Sequence, residues 1–320
     1  MPWPGAVGAA NASEIRWPDG KRFAFTVFED PDASPLSASR EVYSLLSDLG
    51  FRTTVGVWTV DPGAERRNSR GETCENPEFL AWMQELQRRG FEIGLHSVAP
   101  GSLSREEIVE GLARFRAHFG GDPVTMANHY NADAMYWGPA RLNGLSRAIY
   151  NIATRGKQVG RFNGEREGHP SFWGDLCRSR VRYCRNFVFR ELNTLKACPM
   201  MPYHDPDRPY VNQWYAAAEA SNRPSFLKRV TESTIDRLEE EGGAAIIYTH
   251  FGHGFFDNGS LDTRFKAIMT RLAQKNGWFV PVKTLLGFLE MQGRGRTISR
   301  AERNRMAWRW LWAKLRYGTS

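Results

Sequence analysis

From residue 22 to residue 290, short β-branched and aromatic runs alternate with amphipathic stretches of helical length. This alternation constrains the chain more than any other feature, because it builds repeated βα units whose strands pair in parallel. Strand candidates are 22–28, 52–58, 91–96, 123–128, 186–190 and 244–249. Helices are expected near 38–49, where Ser37 and Ser39 can cap; at 77–89, closed by Gly90; and at 103–119, behind Ser104. Later ones fall near 225–241, closed by Gly242 and Gly243, then at 262–275 and 282–291. Alternation over this length favours one closed or nearly closed (β/α) barrel of the α/β class over two unrelated domains. Residues 131–225, rich in Gly, Pro and aromatics and weak in periodicity, read as long connections that decorate one face. The expected organisation is an N-terminal extension at 1–20, the barrel at 21–292 and a basic, Trp-rich helical tail at 293–320.

Charge narrows the partners. The net charge is +8, and residues 294–320 hold eight Arg and Lys against the single carboxylate Glu302. The rest of the chain is nearly neutral and shows no nucleic-acid-binding motif, so nucleic acid is not an expected partner. The tail fits an anionic membrane surface, an anionic glycan or a partner complex, or a helix packed back on the barrel with a solvated basic face. Its Trp308, Leu311, Trp312 and Leu315 recur at spacings that place them near one face. No basic segment followed by an apolar core opens the chain, and no apolar run reaches the length of a membrane span. Cys74, Cys177, Cys184 and Cys198 lack Cys-x-x-Cys spacing and read as reduced thiols, so the expected location is cytoplasmic, with membrane association through the tail as an addition.

Chemistry-bearing side chains stand where the apolar runs stop. In "VFEDPD", Glu29 and Asp30 are adjacent at a strand end; one can hold a metal while the other takes a proton from water. "EIGLHS" delivers His96, and "AAIIYTHFGHGF" delivers His250 with His253 three residues on. A histidine at a barrel mouth suits proton donation.

Taken in order over residues 20–290, these segments resemble the polysaccharide deacetylase family, the NodB-homology carbohydrate esterases. Phe28, Glu29 and Asp30 match the family's Phe-Asp-Asp turn; His96 and Ser97 match the start of its His-Ser/Thr motif; "IIYTH" matches its late strand at His250; and "NGWFVPVKTLLGFLE" matches its last strand and helix. The resemblance implies a distorted (β/α) barrel of seven strands and a metal-dependent hydrolase that removes an N-acetyl or other acyl group from an amino sugar or polysaccharide precursor. It implies Glu29 and His250 as catalytic base and acid, and Asp30 and His96 as ligands of a divalent metal, zinc by preference. Pro100 stands where the family has its second metal histidine, and proline cannot coordinate an ion. His129, after the fourth strand candidate, is the first candidate for the missing ligand, and His253 the second. Tyr130, Trp137, Asp205 and His253 are expected to contact the carbohydrate, with Asp205 also able to orient His250. Pro100 keeps two other readings open: a metal-independent amidohydrolase on the same barrel, and a degenerate glycan-binding protein attached to a polysaccharide assembly complex.

Overall fold

The computed structural model describes residues 15–318, so most of the expected N-terminal extension at 1–20 lies outside the described residues. Seven parallel strands form a closed barrel: β1 (Phe23–Glu29), β2 (Thr54–Val57), β3 (Glu92–His96), β4 (Thr125–Ala127), β5 (Tyr183–Phe189), β6 (Gln213–Glu219) and β7 (Ala244–Thr249), with β7 returning to β1. Closure is uneven. β1 pairs with β7 from Ala24 to Glu29 but meets β2 only at Phe28 and Glu29. The gap at the start of β1 is wedged by the short strand Gly277–Trp278, which pairs with Phe23 and Ala24, and the Arg52 amide donates to the Phe279 carbonyl on its other side.

Helices cover the outside, among them α1 (Leu36–Asp48), α2 (Pro77–Arg88), α3 (Arg105–Phe119) and α4 (Gly144–Ala153). Asn76 caps α2, and Ser104 with Glu107 forms a reciprocal cap on α3, satisfying amides that the first turn leaves free. Inside, the Phe28 ring fills the barrel because β2 and β3 carry glycine opposite it. A Cβ on Gly56 would lie 3.0 Å from the ring and 2.6 Å from the Glu29 carbonyl, and one on Gly94 would lie 3.1 Å from the ring. Low in the barrel the buried Glu92 carboxylate is satisfied: it accepts from Thr54, Thr125 and the Lys283 amide.

The expected strands lie within three residues of those observed, except that Gln213–Glu219 was missed. Its "QWYAAAE" has Trp214 and Tyr215 but no β-branched residue, and its three alanines weaken the strand pattern. The single helix expected at 225–241 is two, Arg223–Arg229 and Glu232–Glu240, because Thr231 leaves helical geometry and caps the second. The C-terminal helix, Arg300–Tyr317, packs on the barrel through Met306, Ala307, Trp310 and Leu311. Leu311 lies at the buried margin of the side that carries Trp308, Trp312 and Leu315, which are exposed.

Candidate metal centre and active site

Successive side chains of a strand point to opposite faces, and this alternation separates the two adjacent acids. Glu29 points out of the barrel toward α1. Its carboxylate accepts from Tyr43 Oη at 2.5 Å and from Ser34 Oγ at 2.8 Å. Burial pushes its pKa up to about 7, against these hydrogen bonds. Asp30 points inward, where Arg185 Nη1 and Nη2 reach its two oxygens at 2.9 and 2.5 Å. Such a bidentate ion pair fixes both the position and the rotation of the carboxylate. Burial opposes the charge on Arg185, but Asp30 outweighs it and raises the guanidinium pKa.

The carboxylate that joins the histidines is Asp32, two residues past the strand. Asp32, His96 and His129 each offer a donor atom within 4.8 Å of the others. The expected ligand set had Asp30 in this place; in the structure Asp30 is held by Arg185, and Asp32, in the loop after β1, is the carboxylate grouped with His96 and His129. His96 Nε2 lies 3.2 Å from Asp32 Oδ2 and 3.1 Å from His129 Nδ1, and Asp32 Oδ1 lies 3.5 Å from His129 Nδ1. The edge of a tetrahedron with bonds of about 2.1 Å is about 3.4 Å, so the donor set has the dimensions of one face of a zinc coordination shell.

The hydrogen bonds behind these donors set their lone pairs. Asn68 donates through its amide nitrogen to the Tyr130 carbonyl and to Asn131 Oδ1, leaving its Oδ1 as an acceptor. His129 Nε2 therefore donates to Asn68 at 2.7 Å, and Nδ1 turns an unprotonated nitrogen toward His96 and Asp32. Burial, and then His96, push the His129 pKa down to about 4, which keeps the ring neutral. His96 Nδ1 faces Asp30 Oδ1 at 3.5 Å, which leaves Nε2 for the cluster. Ser69 donates to Asp32 Oδ1 at 2.6 Å. Burial alone would raise the Asp32 pKa; the imidazole of His96 first, and then those of His129 and His250, turned toward it, hold it well below the usual carboxylate range. Asp32 Oδ2 is buried with no hydrogen-bond partner among the described residues, so one donor of the cluster is unsatisfied by protein alone.

Pro100 has a positive role in this arrangement. Its carbonyl accepts from the Asn68 amide at 2.9 Å, placing the residue that orients His129. Ser97, at φ 47°, adopts the left-handed conformation directly after His96 and accepts from the His129 amide at 2.9 Å.

His250 stands across the site, its Nε2 3.7 Å from Asp32 Oδ2 and 3.3 Å from Tyr248 Oη. Its Nδ1 donates to the Ser221 carbonyl at 2.6 Å, so Nε2 is the atom turned to the site. His253 lies beside it on the rim, with ring centroids 5.1 Å apart and no place in the ligand cluster. Tyr130 is 38% exposed beside His129, with Arg161 over its ring. Trp137 has Arg141 stacked on one face at 3.4 Å and lines a cavity of about 200 Å³ with Arg147, Gln158 and Phe162. Asp205 is not at the mouth. Its carboxylate is buried and closed between Arg208 and Arg303, which explains why it orients neither His250 nor a sugar here.

Sequence reasoning missed Asp32, Asn68, Ser69 and Arg185. Arg185 had a signal, a cation inside an apolar strand; Asp32 had only its place in "EDPD"; Asn68 and Ser69 lie in a polar loop with none.

No family model and no curated protein matches the chain. Solved structures do resemble it. A Mycobacterium smegmatis protein named as a polysaccharide deacetylase aligns with 90% of this chain and 98% of its own, at 13% identity and a TM-score of 0.49. Puue allantoinase aligns with 88% of this chain and 95% of its own, at 11% identity and a TM-score of 0.48. The peptidoglycan deacetylase PdaC of Bacillus subtilis aligns with 85% of this chain and 93% of its own, at 14% identity and a TM-score of 0.40.

Proposed function

We propose that this chain is a metal-dependent hydrolase that removes an N-acetyl or other acyl group from an amino sugar or polysaccharide precursor. The observation that carries this reading is the convergence of Asp32, His96 and His129 between an Arg185-held carboxylate and the His250 imidazole, at the mouth of a parallel barrel. A divalent ion held by the three, zinc being suited to two nitrogens and one oxygen, would polarise the acyl carbonyl and stabilise the oxyanion.

The chain's own groups manage the protons. Asp30, on the inner side of β1, accepts one proton from the attacking water as its oxygen bonds to the acyl carbon, and Arg185 holds the accepting oxygens in place. Glu29 is on the opposite side of the strand, against Tyr43, and serves to brace the loop that carries Asp32. When the carbon–nitrogen bond breaks, His250 Nε2 passes a proton to the leaving nitrogen, while the Ser221 carbonyl fixes the ring through Nδ1. The products are a carboxylic acid and a free amine. Tyr130 and His253, at the rim, are the side chains we assign to sugar contact. The four thiols are buried and free, which suits a reducing compartment, and we place the reaction in the cytoplasm.

The test combines elemental analysis of the purified protein with acetate release from a panel of N-acetylated amino sugars. One divalent ion per chain is expected, lost in Asp32→Ala, His96→Ala and His129→Ala together with activity. Hydrolysis that persists in protein shown to be metal-free would overturn the reading in favour of a metal-independent amidohydrolase.

A further inference from the structure

The C-terminal helix has two apolar faces, and the barrel covers one of them. Met306, Trp310 and Leu311 are buried, whereas Trp308 is 41%, Trp312 65% and Leu315 49% exposed. Steps of four and three residues align these three along the outer face, and the same geometry runs Arg305, Arg309 and Arg316 beside them. Arg309 is paired with Glu191, but Arg300, Arg305 and Arg316 meet no carboxylate among the described residues. Arg190 adds a cation at the helix end, over the Tyr317 ring at 3.9 Å. Two partly exposed tryptophans in a row of arginines are costly in water, and indole rings settle at a boundary between apolar and wet surroundings.

Charge decides between occupants. A second copy of this face would set arginine against arginine. Residues 1–14 carry one acid, Glu14, too few to answer the cations. An anionic lipid surface answers both features, taking the indoles and Leu315 at the headgroup boundary and the guanidiniums on phosphates. No helix of the described chain is long and apolar enough to cross a membrane, so the contact lies in the plane of the surface. We infer that the outer face of the Arg300–Tyr317 helix docks this protein on anionic membranes through Trp308, Trp312, Leu315, Arg305 and Arg316.

The experiment is co-sedimentation of the full chain with phosphatidylcholine vesicles with and without phosphatidylglycerol. Binding is expected only with the anionic lipid and is weakened by salt. Arg305→Glu with Arg316→Glu is expected to reduce it at least about tenfold, since each surface cation contributes about 1 kcal/mol. Trp308→Ala with Trp312→Ala is expected to abolish it while the chain stays folded by circular dichroism, since neither side chain is in the core. Absence of binding to anionic vesicles overturns the inference. So does binding that survives both double variants, or loss of self-association as the only effect of the Trp pair. None of these readouts depends on the metal or on hydrolysis.

Discussion

Asn68 makes one hydrogen bond that decides which nitrogen of His129 faces Asp32. Its own amide is fixed by the Tyr130 carbonyl and Asn131, so its oxygen has a single orientation to offer. Asn68→Ala removes this control without touching a ligand atom, and metal affinity is expected to fall about 10- to 100-fold in a competition titration; unchanged affinity would mean that packing alone orients the ring. The two adjacent acids separate as sharply. Asp30→Asn should keep the ion and lose about 100-fold or more in kcat, whereas Glu29→Gln, facing Tyr43 and Ser34, should fall well short of that loss. The reverse order, measured by acetate release on ion-loaded protein, would return the role of base to Glu29. Because Asp30→Asn strips Arg185 of its charge partner in a buried site, its folded state should be confirmed by circular dichroism before rates are compared.

At the scale of elements, the barrel strands were legible wherever β-branched and aromatic residues cluster, as in β1, β3 and β7. The alanine-rich β6 was illegible because its burial comes from the closure of the ring rather than from its own composition. The same distinction explains the site. His96 and His250 were readable because each ends an apolar run, while Asp32 depends on a loop that doubles back and Arg185 on a strand that begins at Tyr183 rather than 186. Asp205 was expected at the carbohydrate; its neighbour Arg208, three residues on, was a local hint of an ion pair, but nothing local announces the second arginine, which arrives from a helix 98 residues away. That helix is anchored through Arg303, whose Nε and Nη2 reach Asp205 Oδ1 at 2.8 and 2.6 Å and whose Nη1 reaches Asp207 at 2.6 Å. Removing one of the two arginines leaves Asp205 to Arg208 alone, so Arg303→Ala should lower the unfolding free energy by about 2 kcal/mol in urea, less than a fully unpaired buried charge would cost. Arg303→Lys should recover only part of it, since an ammonium cannot bridge both carboxylates with a fork. An unmoved midpoint in Arg303→Ala would show that the helix is held by Trp310 and Leu311 alone.

For the molecule as a whole, buried acids tie folding to pH. Burial raises Asp133 from 3.8 to about 7 and Glu29 from 4.5 to about 7. Asp133 Oδ1 accepts from the Leu103 amide at 3.1 Å, while Oδ2 is buried without a hydrogen-bond partner. The unfolded chain releases this proton near 3.8 and the folded chain near 7, so between those values the folded state binds more protons. Stability from this group is therefore fully present below pH 3.8 and declines as pH rises through 7. The full loss is on the order of 4 kcal/mol at 1.36 kcal/mol per unit. Asp133→Asn keeps an acceptor for Leu103 and removes the charge. The difference in unfolding free energy between Asp133→Asn and the parent chain should thus shift by a few kcal/mol in favour of the variant from pH 4 to pH 8, and then level off. Urea titrations across that range, with the metal state held constant, measure it directly. A difference that does not change with pH would place the carboxylate of Asp133 in contact with water or a cation, and the pH dependence of folding would then rest on Glu29.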